Sequence, residues 1–152
     1  MEKDVIIAIR GLQFVGSDDP EEPIELIIPG LYYYKNDTHY IVYEEKGPNE
    51  RDQSRTIIRA REDRVELTRS GDQAMSMIFD PSEKNQTRMD TPFGQLMMGV
   101  QTNDIVIDEM EGGMDIRVNY YLDINYDRYA QCRVELRIRS KEKGAEIFSP
   151  AS

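Results

Sequence analysis

The chain predicts an all-β fold, a single antiparallel barrel of eight to ten strands, on three observations. Apolar and polar residues alternate with period two along most of the sequence. The alternating segments recur at near-regular intervals, and Gly, Pro, Asn and Asp punctuate the gaps between them. Helical periodicity is hard to find anywhere.

Taken in order, "DVIIAIRGLQF" is a first strand with Gly11 marking a bend or bulge, and the acidic, proline-bracketed "GSDDPEEP" is a loop. "IELIIPGLYYYK" and "HYIVYEE" are strands joined by the turn "KND", where Asn and Asp suit left-handed backbone. The polar loop "GPNERDQS" leads to the short strands "TIIRA" and "VELTRS" across "REDR", and "GDQ" turns into "AMSMIFD". "QTRMDTPFGQLMMGVQT" is a strand, a corner and another strand; "NDIVIDEM" follows, and "EGG" turns the chain back. The last two strands carry the cleanest pattern. Met114, Ile116, Val118, Tyr120 and Leu122 share one face of "MDIRVNYYLD", and Ala130, Cys132, Val134, Leu136 and Ile138 share one face of the final strand. "DINYD" supplies the hairpin between them.

Length and composition set the bounds. At 152 residues the chain is one domain (1-152), with an ordered core at about 4-140 and a C-terminal tail at 141-152. No apolar run approaches the roughly 20 residues of a membrane helix, and the N-terminus lacks the pattern of a signal peptide. A single cysteine excludes an internal disulfide and fits a reducing cytoplasm. A net charge of -10 argues against nucleic acid as a partner, because phosphate neutralisation needs a basic face.

The segments "PGLYYYKNDTHYIVYEE", "VELTRSG", "TPFGQLMMGVQT" and "MDIRVNYYLDIN", in that order, resemble the YwiB-like proteins, a bacterial family of unknown function. The resemblance runs from Ile9 to Ser140. It implies a calycin-type, lipocalin-like antiparallel barrel in a cytoplasmic protein, and it brings no activity with it.

Motifs for chemistry are sparse. One His and one Cys cannot complete a zinc site, no G-x-S-x-G turn or phosphate-cradling glycine loop occurs, and no cofactor is implied. The acids of "DIVIDEMEGG" do not follow the spacing of a calcium loop, so no metal site is expected. His39 reads as a turn-flanking or outward residue, and Cys132 as a buried, inert thiol. The methionines Met75, Met77, Met97, Met98, Met110 and Met114 read chiefly as core filling.

Strand parity gives the sharper expectation. If Val42 and Leu67 point inward, so do Tyr40, Glu44 and Arg69. Opposite charges aimed into one barrel should pair, because an unpaired buried charge is prohibitively costly. A Glu44–Arg69 ion pair joined by Tyr40 and Tyr120 is therefore the expected interior cluster. It would serve either as a structural plug, as lipocalin-like barrels pack an arginine at their closed end, or as a clamp on an anionic ligand. The functional expectation is a non-enzymatic binding protein for a small, partly apolar or anionic ligand. The alternatives are an assembly module, a homodimer among the options, using outer faces that carry Tyr33, Tyr121 and Tyr129, and an enzyme using Glu44 beside Arg69.

Overall fold

Ten antiparallel strands realise the alternation in a computed structural model, which describes residues 3–11, 25–46, 53–71, 74–91 and 94–141. They are β1 (Lys3–Arg10), β2 (Glu25–Lys35), β3 (Thr38–Lys46), β4 (Gln53–Arg61) and β5 (Arg64–Gly71). There follow β6 (Met75–Phe79), β7 (Asn85–Thr91), β8 (Gly94–Met110), β9 (Gly113–Ile124) and β10 (Asp127–Ser140). The expected loop "GSDDPEEP" lies outside the described residues. The expected loop "GPNERDQS" ends two residues early, because Gln53 and Ser54 already pair with Lys46 and Glu45.

The connectivity is a meander closed by its own ends. Spatial order runs β6-β5-β4-β3-β2-β1-β10-β9-β8-β7, so the first strand pairs with the last, Val5 opposite Ser140 and Ile9 opposite Leu136. The edge strands β6 and β7, consecutive in sequence, lie side by side without a ladder. The result is a nearly closed barrel. Across the seam the Asp80 amide donates to Thr102 Oγ1 at 3.1 Å, and on its own side of the seam Asp80 Oδ2 is reached by the Arg64 guanidinium at 3.1 Å. Hydrogen bonds from Ser82, and then that guanidinium, hold the Asp80 carboxyl below its ordinary range.

Turn chemistry explains the hairpins. Asn36 and Asp37 sit at φ 53° and 60°, and Asn125 and Tyr126 at 51° and 71°, as two-residue turns between twisted strands require. Gly30 answers a different need: a Cβ there would stand 2.5 Å from Ile7 Cδ1 and 2.6 Å from the Val42 carbonyl oxygen. Its neighbour Pro29 lies where β2 is laddered to β1 alone, since the β2–β3 ladder starts at Leu31, so its missing N–H costs no pairing.

The barrel interior is filled by side chains. Ile7, Ile41, Ile58, Ile116, Val118 and Tyr120 are fully buried, and Phe79 from β6 packs on Tyr120 from β9 with ring centroids 4.8 Å apart. The inward sets read for β9 and β10 are the inward sets found. Met75, Met77, Met98 and Met114 belong to this core, whereas Met110 is exposed.

Candidate functional site

The residues expected to meet inside the barrel do not meet. On β3 the core-facing residues are Ile41 and Tyr43, opposite Ile58 and Thr56 of β4, so Tyr40, Val42 and Glu44 face outward. Glu44 is exposed, and Tyr40 stacks on Tyr33 at 4.7 Å beneath the Arg59 guanidinium. Arg69 does face inward, opposite Thr56. Its carboxylate partner is Glu45, one residue along the strand from the one expected, at 3.7 Å. The Glu44–Arg69 pair is thus corrected to Glu45–Arg69, and the correction follows from the parity of β3.

This cluster occupies the lower end of the barrel, where β3 ends and β4 begins. Arg69 also donates to Ser54 Oγ at 3.4 Å, and its side chain is 13% exposed. Beside it Tyr43 is buried, and that burial pushes its phenol above the ordinary value despite a hydrogen bond with Thr56. Tyr120 belongs to neither end. It lies in the core opposite Cys132, its hydroxyl without an oxygen or nitrogen partner, and burial raises its pKa strongly. The Cys132 thiol is buried and its pKa is likewise raised by burial.

At the upper end a different set converges. β1 starts and β10 ends there, beside the β2–β3 and β8–β9 turns. A cleft of about 330 Å³ opens between them, with Val5, Met114 and Ile138 as its apolar wall and Lys3, Tyr32 and Glu109 as its polar rim. Behind the rim stands His39, with its side chain 12% exposed. The Tyr32 hydroxyl lies 2.7 Å from His39 Nδ1, and His39 Nε2 lies 2.8 Å from Glu109 Oε1. The Tyr32 and Tyr34 rings flank the imidazole, at 5.9 and 4.9 Å between centroids. Burial, then the Glu109 charge, raises the Tyr32 pKa.

His39, expected to be incidental, is the centre of this chain of contacts. Its parity with Ile41 and Tyr43 was the available signal: those residues turn inward, and His39 turns with them. Glu109 had a subtler one. Met98, Val100 and Thr102 face the core, and a bulge between Thr102 and Asp104 then shifts the register, so that Ile105 and Ile107 pack on the core. Glu109 follows their parity, opposite Met114. The odd spacing from Val100 to Ile105 is that bulge written in sequence.

The β8–β9 turn completes the cleft. Gly112 adopts φ 77°, and a Cβ at Gly113 would fall 2.4 Å from the Ile138 carbonyl oxygen, so "EGG" brings the hairpin close against β10. Among the described residues no helix is long and apolar enough to cross a membrane, and no group of His, Cys, Asp and Glu is placed to hold a metal ion.

Known proteins share this architecture. A family model described as a domain of unknown function, DUF1934, matches residues 7–136. The chain belongs to the DUF1934 family. A relative in Bacillus subtilis (strain 168), the uncharacterized beta-barrel protein YwiB, is 25% identical over 124 residues, which is 80% of this chain and 86% of the relative. The crystal structure of the ywiB protein from Bacillus subtilis superposes with a TM-score of 0.74 at 22% identity, covering 91% of this chain and 92% of that one. That likeness is of fold. For this DUF1934 protein, function has to be argued from the site itself.

Proposed function

We propose that the protein is a non-enzymatic binding protein whose small, partly apolar ligand sits in the upper cleft rather than in the barrel interior. The observation that carries this reading is the cleft. Its volume of about 330 Å³ falls at the lower end of small-molecule sites, and an apolar wall faces a few convergent polar groups. The packed interior leaves the barrel centre to its own side chains, and Arg69, engaged with Glu45 at the other end, takes the role of a plug. An enzyme built on Glu44 beside Arg69 has no support, because those side chains leave opposite faces of the sheet. A reducing, cytoplasmic setting remains part of the proposal, consistent with one buried thiol.

Native mass spectrometry of protein purified from its own host tests this reading. Retained small mass in the parent, lost in a Ser140→Trp variant that fills the cleft, supports it; the same mass retained by both overturns it.

A second reading, docking of a protein partner on the outer surface, is favoured by one observation. Beyond its bulge β8 pairs with β9 alone among the described residues, and Val106 stands 37% exposed there. Of the outer tyrosines expected to serve such a role, Tyr33 is engaged with Tyr40, Tyr121 is half-buried, and the Tyr129 side chain lies outside the described residues.

A further inference from the structure

Resting on the binding reading above, we propose that the ligand of the upper cleft carries an ammonium group on an apolar body, as a small alkyl amine does. The inference comes from the direction of the hydrogen bonds. A carboxylate only accepts, so in the neutral imidazole it is His39 Nε2 that donates to Glu109, at 2.8 Å. That leaves Nδ1 as the acceptor, and the Tyr32 hydroxyl, 2.7 Å away, spends its proton on it. What Tyr32 offers the cleft is then the lone pairs of its oxygen. Glu109, with its side chain 65% exposed, offers the carboxylate oxygen that His39 does not use. Tyr32 and Glu109 thus turn acceptors to the cleft, Ser140 adds a hydroxyl that can donate or accept, and the cation that matches the Glu109 charge comes with the ligand.

Charge points the same way. Glu109 brings a carboxylate to the rim, and after burial its charge is the next cause of the raised Tyr32 pKa. The chain's net charge of -10 draws cations from a distance. Lys3 is the opposing charge at the rim. It is exposed, and its long stem allows the ammonium to stay in water while its methylenes extend the apolar wall formed by Val5, Met114 and Ile138.

The test uses probes with one apolar tail and different heads: isopentylamine, isovalerate and isopentanol, each titrated into the full chain. Binding is read from the methyl NMR signals of Met114 and Ile138. The expected result is a saturable shift with the amine only, weakened about tenfold or more in Glu109→Gln, the loss of one charge-assisted contact, and unchanged or strengthened in Lys3→Gln. If Glu109→Gln fails to fold, Tyr32→Phe, which removes the phenolic lone pairs, should weaken the amine instead. Tighter binding of isovalerate than of the amine, or equal binding of the alcohol, overturns the ammonium class and leaves the cleft as a binding site. Silence from every probe, together with no retained mass in the native protein, overturns both readings.

Discussion

The two ends of this barrel are furnished alike and behave differently. Each presents an inward tyrosine, a basic side chain and a glutamate: Tyr43, Arg69 and Glu45 below, Tyr32, His39 and Glu109 above. Below, the cation is the buried member of the pair and the carboxylate is two-thirds covered, at 33% exposed. Above, the ring is largely covered and the carboxylate stands in solvent beside an open cleft. A polar group that is covered and matched contributes to the fold. One that is matched on one side and open on the other keeps capacity for a ligand. Residue type does not separate the two; the accessibility of the carboxylate does.

The largest test of that contrast is Arg69→Ala. It leaves Glu45 partly buried without its cation and should cost about 2 kcal/mol in urea unfolding, less than a fully buried pair because Glu45 is partly solvated. Glu44→Ala should change stability by no more than about 0.5 kcal/mol, as an exposed site does. Equal effects from the two would erase the distinction between the faces of β3. At the upper end His39→Ala removes contacts to Tyr32 and Glu109 and should cost about 1 kcal/mol, while Glu109→Gln should cost less still because its carboxylate is solvated.

Alkaline unfolding probes both ends at once. Tyr32, Tyr43 and Tyr120 have folded-state pKa values above the ordinary value of about 10, chiefly through burial. The native state therefore holds protons that the unfolded chain releases. Their contribution is whole below about pH 10 and is lost as pH rises toward the folded values. Phenolate absorbance should accordingly appear in two steps, exposed tyrosines first and these three together with loss of ellipticity; a single gradual step would contradict their burial. The smallest effect belongs to the middle of the barrel. Tyr120→Phe removes a hydroxyl that has no oxygen or nitrogen partner, so thermal melting should show a change within about 0.5 kcal/mol, neutral or stabilising.

Much of the fold was legible because a barrel strand declares its faces. β9 and β10 alternate without ambiguity, and their inward sets were read correctly from that alone. β3 failed for a physical reason. Its outer face is also apolar: Val42 is buried beside Leu31 and Ile57, and Tyr40 stacks on Tyr33, so both parities looked like a core. With glutamates at consecutive positions, nothing local chose between Glu44 and Glu45. Arg69 was placed correctly because β5 has one apolar face, with Val65 and Leu67 in the core. The upper cleft was out of reach for another reason. Its contacts join β3 to β8, strands distant in sequence and not neighbours in the sheet, and only the curvature of the nearly closed barrel brings them together.

The bulge in β8 makes the upper end tolerant of a change in length. Asn103 is the extra residue between Thr102, opposite Tyr120, and Asp104, opposite Asn119. Deleting it would restore plain alternation, and Ile105, Ile107 and Glu109 would keep their inward faces. A strand that kept Asn103 but took it into the ladder would instead turn Asp104, Val106 and Asp108 inward and send Glu109 to the outer surface. The lining contributed by β8 is thus a matter of phase as much as of residue type. Loss of one residue at that position among related barrels would leave the cleft unchanged, whereas loss of the bulge without loss of the residue would replace its whole β8 side.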